Sequence, residues 1–212
     1  RVDFSKLACT AGKDDTTCLT AAQLKTVNTF YGGVKNSKGE LIFSGQALGN
    51  PIPALQGTNR SPGGTFDIVR IAFNDPNLDW QKFDLDKDMP LIDKAVGYVD
   101  AVNSDLGKFK KSGGKLLLTH GWADTGITPE TTIWYYDSVL DKMGKNKSNW
   151  MRLFMVPGMG HCGGRPGVNT FDSITTIENW VEKGTAPDQM MGNGANGLTR
   201  PLCPYPQYAE YT

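Results

Sequence analysis

The hydrophobic positions of this chain follow two different patterns on either side of about residue 92. In the first part they are short and broken by Gly, Pro and Asp. Such a pattern does not favour an independent sheet, and we expect residues 1–92 to form a cap over another domain. The elements predicted here are a helix over 20–31, capped by a threonine, a short strand over 41–43 and a helical segment over 66–73.

The second part, residues 93–212, alternates between helical and strand-like patterns. Two apolar runs, 115–120 and 151–156, predict buried strands, and helices are predicted over 95–110, 131–143 and 172–183. The order helix, strand, helix, strand, helix predicts an α/β fold with a parallel sheet and crossover helices. The Pro- and Tyr-rich tail, 198–212, is predicted to be coil.

Composition removes several classes of function. Lys and Arg together number 22, as do Asp and Glu, so the net charge is zero and neither nucleic acid nor an anionic membrane is an expected partner. No apolar run of about 18 residues is present to cross a bilayer. The chain starts at Arg1 without the apolar stretch of a signal peptide, and we expect this end to be cut or processed.

The cysteines add information about the compartment. Cys9 and Cys18 bracket a short polar loop, which favours a local disulfide and an oxidising compartment. A metal site is the alternative. The metal site is disfavoured because the chain has no second cysteine pair at ligand spacing and only two histidines.

Candidate catalytic residues follow each of the two predicted strands. Asp124 comes shortly after the first and His161 after the second, within a run of glycines. Taken singly, the aspartate could be a helix cap and the histidine a surface residue. In open parallel sheets, however, sites form at the carboxyl ends of the strands, and an α/β-hydrolase places its acid before its histidine in the chain. We therefore predict an acid–histidine pair in which Asp124 orients the ring of His161.

These loops also carry distinctive motifs. Residues 114–124, which end in His-Gly-Trp-Ala-Asp, residues 127–129 (Ile-Thr-Pro) and residues 156–164 (Val-Pro-Gly-Met-Gly-His-Cys-Gly-Gly) resemble the acid and histidine motifs of the tannase/feruloyl esterase family. Further similar stretches are 75–80, 83–86 and 199–206. The resemblance implies the C-terminal part of an α/β-hydrolase parallel sheet over 93–212, and part of an inserted lid domain over 1–92.

The resemblance also implies roles for individual residues. His120 and Ile127 would face the ester, although His120 could equally be a structural histidine. Phe66 and Phe73 would line the acyl site from the lid, or else belong to the lid core. Cys162 would pair with a cysteine beside the nucleophilic serine, Cys203 with a partner beyond Thr212, and Cys9 with Cys18. The calcium site of the family would lie upstream, so no cofactor is expected in this chain.

One departure from the family pattern stands out. No Gly-x-Ser-x-Gly motif occurs. Ser61, whose surrounding sequence (Asn-Arg-Ser-Pro-Gly-Gly) is the most similar to that motif, lies in lid-like sequence. The resemblance implies a carboxylesterase for small hydroxyaromatic esters, galloyl or feruloyl in kind, and the missing motif places its serine in an upstream segment or partner chain. We expect the protein to be secreted or periplasmic. The 212 residues alone are predicted to be inactive. The alternative is a non-catalytic folded fragment with a structural or binding role.

Overall fold

The computed structural model gives the chain a mixed α/β fold. The structure describes residues 2–10, 13, 16–50, 67–145, 149–161, 163–164 and 166–210.

Helices and short strands follow one another along the chain. The α-helices are α1 (Ala21–Gly32), α2 (Asp67–Phe73), α3 (Leu85–Val96), α4 (Gly107–Lys111), α5 (Pro129–Met143) and α6 (Ser173–Lys183). The strands are β1 (Val34–Lys35), β2 (Leu41–Phe43), β3 (Leu116–Gly121), β4 (Met151–Val156), β5 (Met190–Asn193) and β6 (Thr199–Leu202). Short 3₁₀ turns cover Phe4–Leu7, Trp80–Lys82, Gly97–Val99 and Ala195–Gly197.

The chain divides into two compact units, and their limits differ from the predicted boundary after residue 92. The assignment of 1–92 to a lid stays a prediction, but residues 1–34 lie in the same unit as β3 and β4. The first unit contains Arg1–Val34, Phe43–Pro51 and Ser104–Thr212, and the second contains Lys35–Ile42 and Ile52–Asn103.

The first unit is organised around two parallel strands. β3 pairs with β4 in the register Leu116↔Met151 to Gly121↔Val156, which confirms the predicted parallel arrangement. Every residue of β4 is buried. Because side chains alternate along a strand, one face of β4 packs with α5 and the other packs toward β5 and β6. The first face contributes Met151, Leu153 and Met155 to a cluster with Tyr136 and Val139, and the second contributes Phe154 and Val156 to a cluster with Val168, Met190 and Leu202.

The tail differs from its prediction as coil. β6 pairs antiparallel with β5, and beyond it the Tyr205 N–H donates to the Leu153 carbonyl at 2.7 Å. Pro204 also bridges to Phe154. The tail thus supplies hydrogen bonds along β4. The sequence did not predict this pairing, because the prolines of the tail interrupt the alternating pattern that indicates a strand.

The single helix predicted over 95–110 is also wrong. α3 ends at Val96, and α4 starts only at Gly107. Asp84 caps α3 by accepting from the Asp86 and Lys87 N–H groups, a helix start that the sequence analysis missed. Asp105 accepts from the Gly107 N–H, a local bond that competes with a continuous helix.

Several local predictions are confirmed. Thr20 caps α1 as predicted, and Gln23 completes a capping box there that was not predicted. Cys9 and Cys18 form a disulfide. The helix predicted over 172–183 is α6, which Asp172 caps and Gly184 ends in a left-handed conformation.

Within the described ranges, no helix combines the length and apolar character that a membrane span requires.

Candidate active site

The loop that carries Asp124, residues 122–128 and called the acid loop below, begins where β3 ends and is joined to the end of β4 by backbone hydrogen bonds. The Trp122 N–H donates to the Val156 carbonyl and the Ala123 N–H to the Met159 carbonyl, each at 2.9 Å. The carboxyl ends of both strands therefore lie together, as a parallel sheet requires.

A glycine allows the close approach of the two loops. A Cβ atom on Gly121 would lie 2.2 Å from the Met159 carbonyl oxygen and 2.8 Å from that of Gly160. Backbone atoms cannot yield to such a contact, so only glycine fits at this position.

Asp124 is buried, with 4% of its surface exposed, and its carboxylate has several partners. Oδ1 accepts from the Gly126 N–H at 2.8 Å and the Ile127 N–H at 2.9 Å. Oδ2 lies 2.8 Å from Nδ1 of His161. Burial by itself raises the pKa of the Asp124 carboxyl, but the hydrogen bonds from Ile127, His161 and Gly126 outweigh it, and the pKa lies below its usual range. The aspartate is therefore held as the anion.

His161 donates one ring N–H to this carboxylate, so the predicted hydrogen bond is present. Its side chain is 64% exposed. Because Asp124 is an acceptor, Nδ1 carries the proton and Nε2 is left with a lone pair. No other described residue hydrogen-bonds to the ring. An exposed Nε2 held in this tautomer is able to take a proton from a hydroxyl placed against it.

A second imidazole, that of His120, lies near the same carboxylate oxygen. Nε2 of His120 is 3.3 Å from Oδ2 of Asp124 and hydrogen-bonds to the Ile127 carbonyl at 3.1 Å. Nδ1 of His120 lies 2.7 Å from Oγ1 of Thr132 in α5. Only 11% of the His120 side chain is exposed.

The acid loop is also held by residues 44–50, a role that the sequence analysis missed. Nδ2 of Asn50 donates to the carbonyls of Trp122 and Asp124, both at 3.2 Å. Gln46 donates to the Thr125 carbonyl at 3.3 Å, and the hydroxyls of Ser44 and Thr128 are 2.5 Å apart. No local motif in the sequence announces contacts over more than 70 residues.

The other predicted site residues have different placements. Ile127 is 48% exposed beside Asp124. Phe73 ends α2 in the second unit, and Phe66 and Cys162 lie outside the described residues. Cys203 is half-buried and forms no disulfide with another described cysteine. Within the described ranges, no cluster of three His, Cys, Asp or Glu residues could hold a metal ion.

Comparison with known proteins identifies the family. The sequence model of the Tannase and feruloyl esterase family matches residues 1–212. The chain belongs to this family. It is therefore related to ester hydrolases, in agreement with the resemblance of its acid and histidine motifs.

Individual members of the family show how far the similarity extends. Mono(2-hydroxyethyl) terephthalate hydrolase of Piscinibacter sakaiensis is 30% identical over 239 residues, which cover 92% of this chain and 40% of that protein. The crystal structure of feruloyl esterase B from Aspergillus oryzae superposes with a TM-score of 0.83 at 29% identity, covering 97% of this chain and 46% of that one. Tannin acyl hydrolase from Aspergillus niger, at 22% identity and a TM-score of 0.68, shares the fold. The chain spans less than half of the length of these relatives.

Proposed function

We propose that the chain supplies the acid and the base of a serine-type carboxylic ester hydrolase. The observation that carries the proposal is the 2.8 Å hydrogen bond between Asp124 and His161 at the carboxyl ends of adjacent parallel strands. The buried acid and the exposed base have the environments that their two roles need.

The proposed chemistry is acyl transfer through His161. Nε2 of His161 accepts the proton of a serine hydroxyl as its oxygen attacks the ester carbonyl, and then returns the proton to the departing alcohol. The resulting acyl-serine is attacked by a water molecule that His161 deprotonates, and the ring then returns that proton to the serine oxygen as the carboxylic acid leaves. Asp124 keeps Nδ1 protonated and stabilises the positive ring in both steps.

We place the nucleophilic serine in polypeptide outside these 212 residues. The sequence has no Gly-x-Ser-x-Gly motif, and no described serine hydrogen-bonds to His161. The hydroxyl of Ser44, in the first unit, is bonded to Thr128 instead. A cysteine beside that serine would pair with Cys162, as the family resemblance implies, and the donors of the oxyanion hole would come from the same missing part.

The proposed substrates are small hydroxyaromatic esters of the galloyl or feruloyl kind. The names of the relatives support an aromatic acyl group, since they include a feruloyl esterase and a terephthalate ester hydrolase. Ile127, half-exposed beside the acid, offers an apolar surface for the ring. Phe66 and Phe73 remain proposed lid contributions to the same acyl site.

The disulfide supports a secreted or periplasmic location, because such bonds persist in oxidising compartments. We propose that the calcium site of the family lies in the upstream part, with no cofactor bound by this chain.

The test compares the 212-residue chain with a longer polypeptide that includes the upstream segment. The longer protein should hydrolyse methyl ferulate or methyl gallate, and His161→Ala should reduce its kcat by roughly 10⁶. The chain alone should show neither turnover nor labelling by a fluorophosphonate probe. Labelling of a serine within the 212 residues would refute the external nucleophile, and full activity of His161→Ala would refute the base.

A further inference from the structure

His120 is the second histidine of the chain, and the proposed proton transfers do not use it. It is the penultimate residue of β3, and its ring meets three separate groups: Oγ1 of Thr132 at 2.7 Å, the Ile127 carbonyl at 3.1 Å and Oδ2 of Asp124 at 3.3 Å. With 11% of its side chain exposed, it offers little surface to a substrate.

The partners of this ring determine where its proton lies. A backbone carbonyl only accepts hydrogen bonds, and an ionised carboxylate also only accepts. Nε2 faces both, so Nε2 carries the proton. Nδ1 faces the Thr132 hydroxyl, which donates to it when the ring is neutral.

We propose that His120 is a positioning residue for the acid, rather than a contact for the ester. Its Nε2–H holds the Ile127 carbonyl and lies against Oδ2 of Asp124, while Thr132 orients the ring from α5. The catalytic consequence rests on the proposed function, but the geometry and its first test do not.

Both backbone groups of one acid-loop residue, Ile127, are hydrogen-bonded in this arrangement. The N–H of Ile127 donates to Oδ1 of Asp124, and its carbonyl accepts from His120. Oδ2 is then shared between His161 and the polar edge of His120. Losing the His120 donor would release the Ile127 carbonyl and remove one of the two described imidazoles at Oδ2, so the carboxylate would be held less firmly against His161.

The charges around His120 agree with a polar, oriented ring. Asp124 and, through it, His161 lie on one side. Glu130, at the start of α5, would attract the ring only if the ring were positively charged, and burial raises the pKa of the Glu130 carboxyl. The contact that assigns the donor role to Nε2 is therefore the one with the ionised Asp124 and the Ile127 carbonyl.

The first test uses the 212-residue chain and the fact that it has only two histidines. In long-range ¹H–¹⁵N correlation spectra at pH 7, His120 should show Nε2 protonated and His161 should show Nδ1 protonated. A His120 ring with an unprotonated Nε2, or one averaging between tautomers, would overturn the proposal.

Two replacements of His120 separate the donor from the bulk of the ring. Gln places an N–H near the position of Nε2, whereas Met keeps volume without a donor. Amide exchange of Gly126 and Ile127 should be about five- to tenfold faster in His120→Met than in the wild type. It should return toward the wild-type rate in His120→Gln. Equal exchange in both variants would overturn the proposal.

Thr132→Val tests the same arrangement even if a His120 variant fails to fold. Removal of the hydroxyl should leave His120 averaging between tautomers. Thr176→Val in α6 is the matched control, because among the described residues that hydroxyl bonds locally, to the carbonyl of the helix cap Asp172. Unchanged His120 spectra in Thr132→Val would count against the proposal.

In the longer esterase, a positioning role predicts a loss in kcat rather than in KM. His120→Met should lower kcat by about ten- to a hundredfold, the cost of a misplaced catalytic group. His120→Gln should recover most of that loss. A rise in KM alone would make His120 a substrate contact. If the wild-type enzyme hydrolyses no ester, the proposed function fails, and the spectra of the 212-residue chain still decide the role of His120.

Discussion

The loop that carries Asp124 and the loop that carries His161 lie side by side but are built differently. Asp124 is almost completely buried and accepts two backbone N–H groups as well as the imidazole. His161 is mostly exposed and lies in a glycine-rich loop. The carboxylate is therefore fixed by several hydrogen bonds, whereas the ring of His161 has one to the described residues, with Asp124.

The same contrast appears in the glycines of the two loops, and it gives the largest expected effect on stability. Gly121→Ala should lower the free energy of unfolding by about 3 kcal/mol or more, because its Cβ would meet backbone atoms at 2.2 Å. Gly164→Ala should lower it by only about 1 kcal/mol, because no described atom lies within 4 Å of the added Cβ and the φ of +65° is what disfavours a side chain. Urea unfolding of both variants measures the difference, and equal losses would contradict it.

The support of the acid loop by residues 44–50 gives the next effect. Asn50→Ala removes an amide that donates to two loop carbonyls, and should cost about 1–3 kcal/mol in unfolding free energy. Asn28→Ala on the exposed surface of α1 is the control and should change stability little. Faster amide exchange of Gly126 and Ile127 in Asn50→Ala alone would localise the loss to the acid loop. Matching stabilities for the two variants would show that Asn50 does not hold it.

The ionised state of Asp124 predicts a pH dependence of smaller size. Its pKa is lowered in the folded protein, so its stabilising contribution is complete above the ordinary value of 3.8 and is lost as pH falls through the folded pKa. Asp124→Asn should be less stable than the wild type by about 1 kcal/mol at pH 7. The gap should close below about pH 4. Thermal unfolding of both proteins across about pH 3–7 checks whether their stabilities converge at low pH. A constant gap would argue against a charge effect.

Glu130, in α5, gives the smallest effect and the opposite sign. Burial raises its pKa, so its ionised form is penalised and stability is lost as pH rises through the folded pKa. Glu130→Gln should raise Tm by about 1–2 °C at pH 7 and leave it unchanged near pH 4. The gain is small because a charge at a helix start is favoured by the helix dipole. A lower Tm at pH 7 would mean that an attractive contact, such as that with His120, outweighs burial.

Much of the fold and of the site could be predicted from the sequence, because each feature depends on neighbouring residues. The period of apolar residues located β4 over 151–156 and α6 over 173–183 to within a residue of the structure. Thr20 predicted the start of α1, which it caps. The pairing of Asp124 with His161 followed from the rule that parallel strands bring their carboxyl ends together.

Tertiary structure decided the features that depend on distant parts of the chain. Asn50 reaches Asp124 across 74 residues, and Tyr205 joins β4 although its sequence reads as coil. The orientation of the His120 ring depends on Thr132 from α5 together with the Ile127 carbonyl. Local patterns report which face of a segment is apolar, but not which segment it meets. A buried amide or imidazole is assigned its partners only when the chain path brings distant carbonyls and hydroxyls within hydrogen-bonding distance.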